Sequence, residues 1–121
     1  MTYQGSLIFD SEQARGLAGV RGRRTGERAM LFRVRHLSVD VVVATGDDSL
    51  QVVHGQILDE RHGRPLAAAR VHLGDEHESV VTDEQGHFSV SALLRDDEQY
   101  LTIETPERQL ICMLPAHGTD E

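Results

Sequence analysis

Seven histidines, one cysteine and twelve arginines are the side chains of this 121-residue chain with the most obvious capacity for chemistry. His54, His62, His72, His77 and His87 fall in one stretch, and His72 and His77 flank Asp75 and Glu76, a composition that raises the question of a metal. A metal centre needs three or four converging ligands, held in turn by second-layer hydrogen bonds. No pair here has the i, i+4 helical or Cys-x-x-Cys spacing that forces convergence. The expectation is therefore solvated surface imidazoles, no metal and no cofactor, with His72 and His87 as one exposed pair that could meet across adjacent strands.

Other reaction classes are limited in the same way. The chain contains no Lys, which excludes Schiff-base or carbamate chemistry on an ε-amine. Cys112 lies in Leu110-Ile111-Cys112-Met113-Leu114, an apolar strand-like run in which a thiol is expected to act as a small buried hydrophobe rather than a nucleophile. No Gly-x-Ser-x-Gly elbow, phosphate-cradling glycine loop or paired catalytic carboxylate is present. Asp75-Glu76 and Asp96-Asp97-Glu98 read as loop charges that discourage edge-to-edge sheet pairing.

Charge is unevenly placed. Residues 1–35 hold seven Arg against three acids, and the remainder holds five Arg against seventeen acids, for a net charge of −8. Arg21, Arg23 and Arg24 are the candidate binding residues of this basic arm. They either neutralise the acidic body or contact an anionic partner. An acidic body with few aromatics disfavours nucleic acid, whose single-strand readers add stacking platforms. With no Trp, a carbohydrate platform is also disfavoured.

The elements that must position these residues are strands. From 30 to 43, Met30, Phe32 and Val34, then Leu37, Val39, Val41 and Val43, alternate with a more polar set, the period-two pattern of two antiparallel strands joined near Arg35-His36. Gly46-Asp47-Asp48-Ser49 turns into a strand over 50–58, within which Gly55 marks a bulge or a close backbone approach. A turn over 59–65 places Gly63 in the left-handed region. A strand over 67–73 follows, with Ala69, Val71 and Leu73 inward, and then an acidic turn over 74–78. Residues 78–82 are expected to pair with 87–91 across a hairpin turn that Asp83 caps and Gly86 closes. Strands over 100–104 and 109–113 close the sheet, separated by Thr105-Pro106-Glu107. The front end reads as a strand over 5–9 followed by an irregular loop, with 10–17 as the one helix candidate. About eight strands at this spacing predict an all-β, antiparallel sandwich, with Phe32, Val39, Val41, Ile57, Val71, Phe88, Val90 and Ile103 in one core.

Three motifs stand together in the second half: Val53-x-Gly55-x-Ile57-x-Asp59, Gly63-x-Pro65-Leu66-x-x-Ala69-x-Val71, and Val81-Thr82-Asp83-x-x-Gly86-x-Phe88. This pattern resembles the carboxypeptidase regulatory-like domain, a transthyretin-like sandwich of immunoglobulin-like architecture, over about residues 50–114. Where that family often carries Pro-Gly and Gly-Tyr around its sixth strand, this chain has Leu93-Leu94-Arg95-Asp96-Asp97 and Thr105-Pro106-Glu107. The front, Leu7-Ile8-Phe9-Asp10-Ser11 with Gly19-Val20-Arg21 and Met30-x-Phe32, resembles the leader of small stand-alone bacterial proteins with this domain. The resemblance implies an accessory or binding module without chemistry of its own. Transthyretin-like enzymes are the alternative, but the hydroxyisourate hydrolases end in Tyr-Arg-Gly-Ser where this chain ends His117-Gly118-Thr119-Asp120-Glu121. The intradiol dioxygenases need two Tyr and two His on iron, and Tyr3 and Tyr100 lie far apart in sequence.

The expectation is thus a non-catalytic adaptor that binds another protein, or its own copy, through a sheet edge or the basic arm. The alternatives are a transthyretin-like enzyme or metal protein using surface His residues, and an anion or nucleic-acid contact at Arg21, Arg23 and Arg24. The chain divides into an N-terminal strand and Arg/Gly-rich loop (1–28), a seven- or eight-stranded sandwich (29–116) and a frayed tail (117–121). One Cys, no apolar run long enough to span a membrane and no apparent secretory leader point to the cytoplasm.

Overall fold

The computed structural model describes residues 2–11, 27–45, 50–74, 79–93 and 98–115. Among them lie eleven strands: β1 (Thr2–Gln4), β2 (Ser6–Asp10), β3 (Glu27–Val34), β4 (Leu37–Thr45), β5 (Leu50–Asp59), β6 (Arg64–Pro65), β7 (Arg70–Leu73), β8 (Val80–Val81), β9 (His87–Leu93), β10 (Gln99–Glu104) and β11 (Gln109–Leu114). Eight of these have four residues or more, so the expected seven or eight strands are the long ones, and β1, β6 and β8 are short bridges. The helix candidate at 10–17 and the turns at 46–49 and 75–78 fall largely outside the described residues.

Two sheets result. One runs β1-β11-β10-β7-β8, and the other runs β2-β3-β4-β5 with β6 and β9 both on the far side of β5. Every described pairing is antiparallel except that of β1 with β11. Alternation sends one side of each sheet into the space between them. All eight side chains expected in the core are there, in a single cluster with Met30, Val34, Leu73, Leu101 and Leu110. Arg35 takes a left-handed φ of 57° between β3 and β4, as a two-residue reversal requires, and its guanidinium lies 4.8 Å from the centre of the Tyr3 ring. Ala69, Val71 and Leu73 point inward as expected. The strand starts at Arg70 rather than residue 67, because Ala68 turns to a φ of 62°.

The segment from 80 to 93 departs from the expected hairpin. β8 pairs with β7 and β9 pairs with β5, so the two arms that the sequence joins into one ladder belong to different sheets. Only the turn itself is hairpin-like: Asp83 N–H donates to His87 O at 3.0 Å, and Gly86, at a φ of 78°, donates to Asp83 O. Thr82 holds the first arm. Its hydroxyl donates to Leu66 O at 2.8 Å and accepts from Ala69 N–H at 3.0 Å. Phe88 holds the second. A Cβ on Gly55 would fall 2.6 Å from Phe88 Cε2 and 2.7 Å from Asp40 O, so the ring occupies space that only glycine leaves open. The β5 ladders run through Gly55 without a register shift, which makes it a site of close approach and not a bulge.

Polar links tie the sheets together beyond the apolar centre. Arg28, on the inward side of β3, makes a two-pronged ion pair with buried Asp10, at 2.9 and 2.5 Å, and donates to Pro115 O just past β11 at 3.1 Å. Buried Gln51 of β5 donates its amide to Gln99 of β10.

Truncation of Phe88→Ala is expected to cost ~3 to 5 kcal/mol through the cavity it leaves. Gly55→Ala is expected to cost roughly 1 to 3 kcal/mol by overpacking the same contact. Because both changes act on one contact, the double variant should lose less than their sum. Urea unfolding of the four proteins measures this, and strict additivity would mean that ring and glycine do not meet.

Candidate functional site

The sequence candidates scatter. Arg21, Arg23, Arg24, His77 and His117 lie outside the described residues. His62 sits in the β5–β6 turn, where its Nδ1 meets Asp59 Oδ2 at 2.9 Å. His72 stands on the outer side of β7, 3.9 Å from Glu104. His87 stands on β9, in the other sheet, so the expected His72 and His87 pair is not formed: adjacent in the sequence's apparent strand order, the two residues belong to sheets packed face to face. Among the described residues, no three His, Cys, Asp or Glu side chains gather to hold a metal. Cys112 is fully buried, and burial pushes its thiol up to about 12, which keeps it protonated and unreactive at neutral pH.

What the structure does assemble is an open sheet edge. Ile57 N–H donates to Gly86 O at 2.9 Å, which fixes the phase of the β5–β9 ladder. Alternation then turns the main-chain groups of Phe88 and Val90 toward Gly55 and Val53, and those of Ser89, Ser91 and Leu93 away from β5. The outward groups of His87 agree with that phase, since its N–H donates to Asp83 Oδ1 at 2.9 Å and its carbonyl accepts from Asp83 N–H. Beyond His87, no described strand pairs with the outer side of β9.

The other edges are guarded in ways β9 is not. β1 has three residues and β8 two, β6 contains Pro65, and β2 carries a register shift at Ile8. Short length, proline and bulges are the devices that blunt an edge. β9 has seven residues, His87-Phe88-Ser89-Val90-Ser91-Ala92-Leu93, with no proline, no carboxylate or arginine and no shift in its ladder. Beside it lies an open groove of about 500 Å³, bordered by Val80, Val81, Asp83, Phe88, Ser89 and His54. Val81 is 59 % exposed there.

Electrostatics at the start of this edge are set by Asp83. Its Oδ1 accepts from the N–H groups of His87 and Gln85 at 2.9 and 2.8 Å. The hydrogen bond from the His87 amide, joined by that from Gln85, holds the carboxyl below its ordinary 3.8. Asp59 is lowered in a similar way, chiefly by the His62 side chain.

A second open depression, of about 470 Å³, lies on the outer face of the six-stranded sheet, where Phe9, Leu31 and Val42 stand beside Asp40, Gln56 and His87. No protein-family model, curated protein or solved structure matches this chain.

The free edge was hidden from sequence reasoning by one assumption, that 78–82 and 87–91 pair with each other. The signal that could have exposed it is the pairing of two short-range facts: Gly55 needs a close neighbour, and Phe88 is the inward aromatic nearest the turn.

Because Asp83 is held low in the folded protein, its contribution to stability is fully present above 3.8 and is lost as pH falls through its lowered folded value. The difference in urea midpoint between wild type and Asp83→Ala should therefore be constant near neutrality and shrink below pH 3.8. A difference that persists unchanged at the acid end would assign the effect to the turn's conformation and not to the carboxylate.

Proposed function

We propose that this chain is a non-catalytic protein-interaction module, an adaptor of the carboxypeptidase regulatory-like, transthyretin-like kind, that holds its partner at a sheet edge. The observation that carries this reading is the edge of β9, unpaired among the described residues, with three outward main-chain positions at Ser89, Ser91 and Leu93 beside an open groove. Unpaired main-chain groups on an edge strand are a ready template for another chain. The family reading draws support from what its motif glycines do here. Gly55 lies under Phe88, while Gly63 and Gly86 take φ values of 65° and 78°. A single buried thiol suits a reducing compartment, and the cytoplasm is the proposed location.

Affinity capture from a host lysate tests the reading, with wild type compared against Ser91→Pro and against the triple reversal of Arg21, Arg23 and Arg24 to Glu. A partner retained by wild type and lost from the first variant places binding at the edge, and one lost only from the second moves it to the arm. The melting temperature of Ser91→Pro should barely change, since the Ser91 N–H lies outside the β5 ladder. A capture profile no different from that of an unrelated β-sandwich would contradict an adaptor role.

A further inference from the structure

We propose that the edge of β9, open among the described residues, takes an extended peptide segment of a partner protein as an added strand, with aliphatic side chains toward the groove beside Val80 and Phe88 and a basic residue at the end that meets Asp83 and Glu84. The inference rests on the adaptor reading and goes further by specifying the partner's chemistry. Three features of the edge carry it.

The first is the hydrogen-bonding pattern. Ser89, Ser91 and Leu93 offer N–H and C=O groups at every second position, with no described strand opposite. A strand is the element that meets such a row with groups of matching spacing.

The second is shape. Alternate side chains of an added strand would point to opposite faces of the sheet. The set continuing the inward row of Phe88 and Val90 would lie over β8, where half-buried Val80, opposite Val71, packs against the core. The other set would lie beside Ser89, Ser91 and His54, a surface of small and polar groups. An alternating aliphatic and polar sequence satisfies both.

The third is charge. Asp83 and Glu84, both exposed, lie in the turn that leads into β9. The described arginine across from Val81, Arg70, stands opposite Glu104 on β10. An edge with no carboxylate or arginine that begins beside two carboxylates complements a segment with Arg or Lys at the end lying there. A basic segment also fits this chain better than a second copy does, since two copies of net charge −8 repel each other.

The probe is a peptide, Arg-Val-Thr-Val-Thr-Val-Arg with blocked termini, titrated calorimetrically into the full chain. Its partners are the same peptide with Glu in place of both Arg, and two N-methylated forms, one blocked at the three Val amides and one at the two Thr amides. A strand shows its N–H groups alternately to either side. One methylated set should therefore abolish binding while the other leaves it within about twofold. Ser91→Pro should weaken the parent peptide by about tenfold or more. The Ser91 N–H faces away from β5, so proline there removes no ladder bond, and an unchanged melting temperature is the control. If that variant does not fold, the methylated pair carries the test alone. The acid-flanked peptide should bind at least about tenfold more weakly than the parent.

Equal binding of both methylated peptides would reduce the interaction to charge and overturn the proposal. So would absence of binding by the parent peptide, or equal binding of the acid-flanked form. Sedimentation of the protein as a dimer that Ser91→Pro dissolves would assign the edge to a second copy, again overturning it. Host-lysate capture that survives while the peptide experiment fails would leave the adaptor reading standing and retire only this choice of partner.

Discussion

The phenyl ring of Phe88 lies against the bare Cα of Gly55, and that contact decides which sheet the chain joins after the Asp83 turn. A side chain at Gly55 would collide with the ring and with Asp40 O, so the glycine makes a recess in the middle of β5, and the largest inward side chain of β9 fills it. Filling the recess places β9 against β5 in unbroken register from Gln56↔His87 to Leu50↔Leu93. Thr82 meanwhile secures the preceding residues to the 66–69 segment on the other side of the sandwich. The turn thus crosses between sheets, and the outer side of β9 is left without a described pairing strand. The candidate site is a consequence of core packing.

Two polar bridges lie at the end of the sandwich where β3, β5 and β10 begin, and they limit how the sheets can slide. The Asp10–Arg28 pair joins β2 to β3, and its link to Pro115 O reaches the chain beyond β11. With both side chains buried, loss of one partner would strand the other's charge away from water, at a cost of about 3 to 5 kcal/mol. The Gln51–Gln99 contact is uncharged and sits where β5 and β10 approach each other. Both bridges specify position more than they add stability, because replacing buried polar pairs by apolar groups of matching shape is often nearly neutral.

Much of this architecture is legible in the sequence because strands announce themselves through period-two burial. Met30, Phe32 and Val34 on β3, and Leu37, Val39, Val41 and Val43 on β4, are a pattern that only a half-buried ladder satisfies, and the core follows directly. Turn chemistry is equally local: Gly63 and Gly86 take the left-handed values that their neighbours require, and Asp83 caps the amides it was expected to cap. Partner choice is different. Whether 80–81 pairs with 87–93 or with 70–71 depends on contacts between residues far apart in sequence, above all Gly55 with Phe88, and the local pattern is the same either way. An edge strand is defined by what does not pair with it, so the side of β9 left open among the described residues emerges only once Gly55 is matched with Phe88. The His72 and His87 pairing shows the same limit: composition brings such residues to notice, and only topology says what they face.

Amide hydrogen exchange along β9 tests the central claim most directly. If β9 is docked on β5 with its outer side open, protection alternates: the Phe88 and Val90 amides, bonded into the ladder, exchange slowly, and the Ser89 and Ser91 amides, turned outward, exchange orders of magnitude faster within the same strand. Uniform protection from Phe88 to Ser91 would mean that the outer side is already paired, and both the open edge and the proposals built on it would fall.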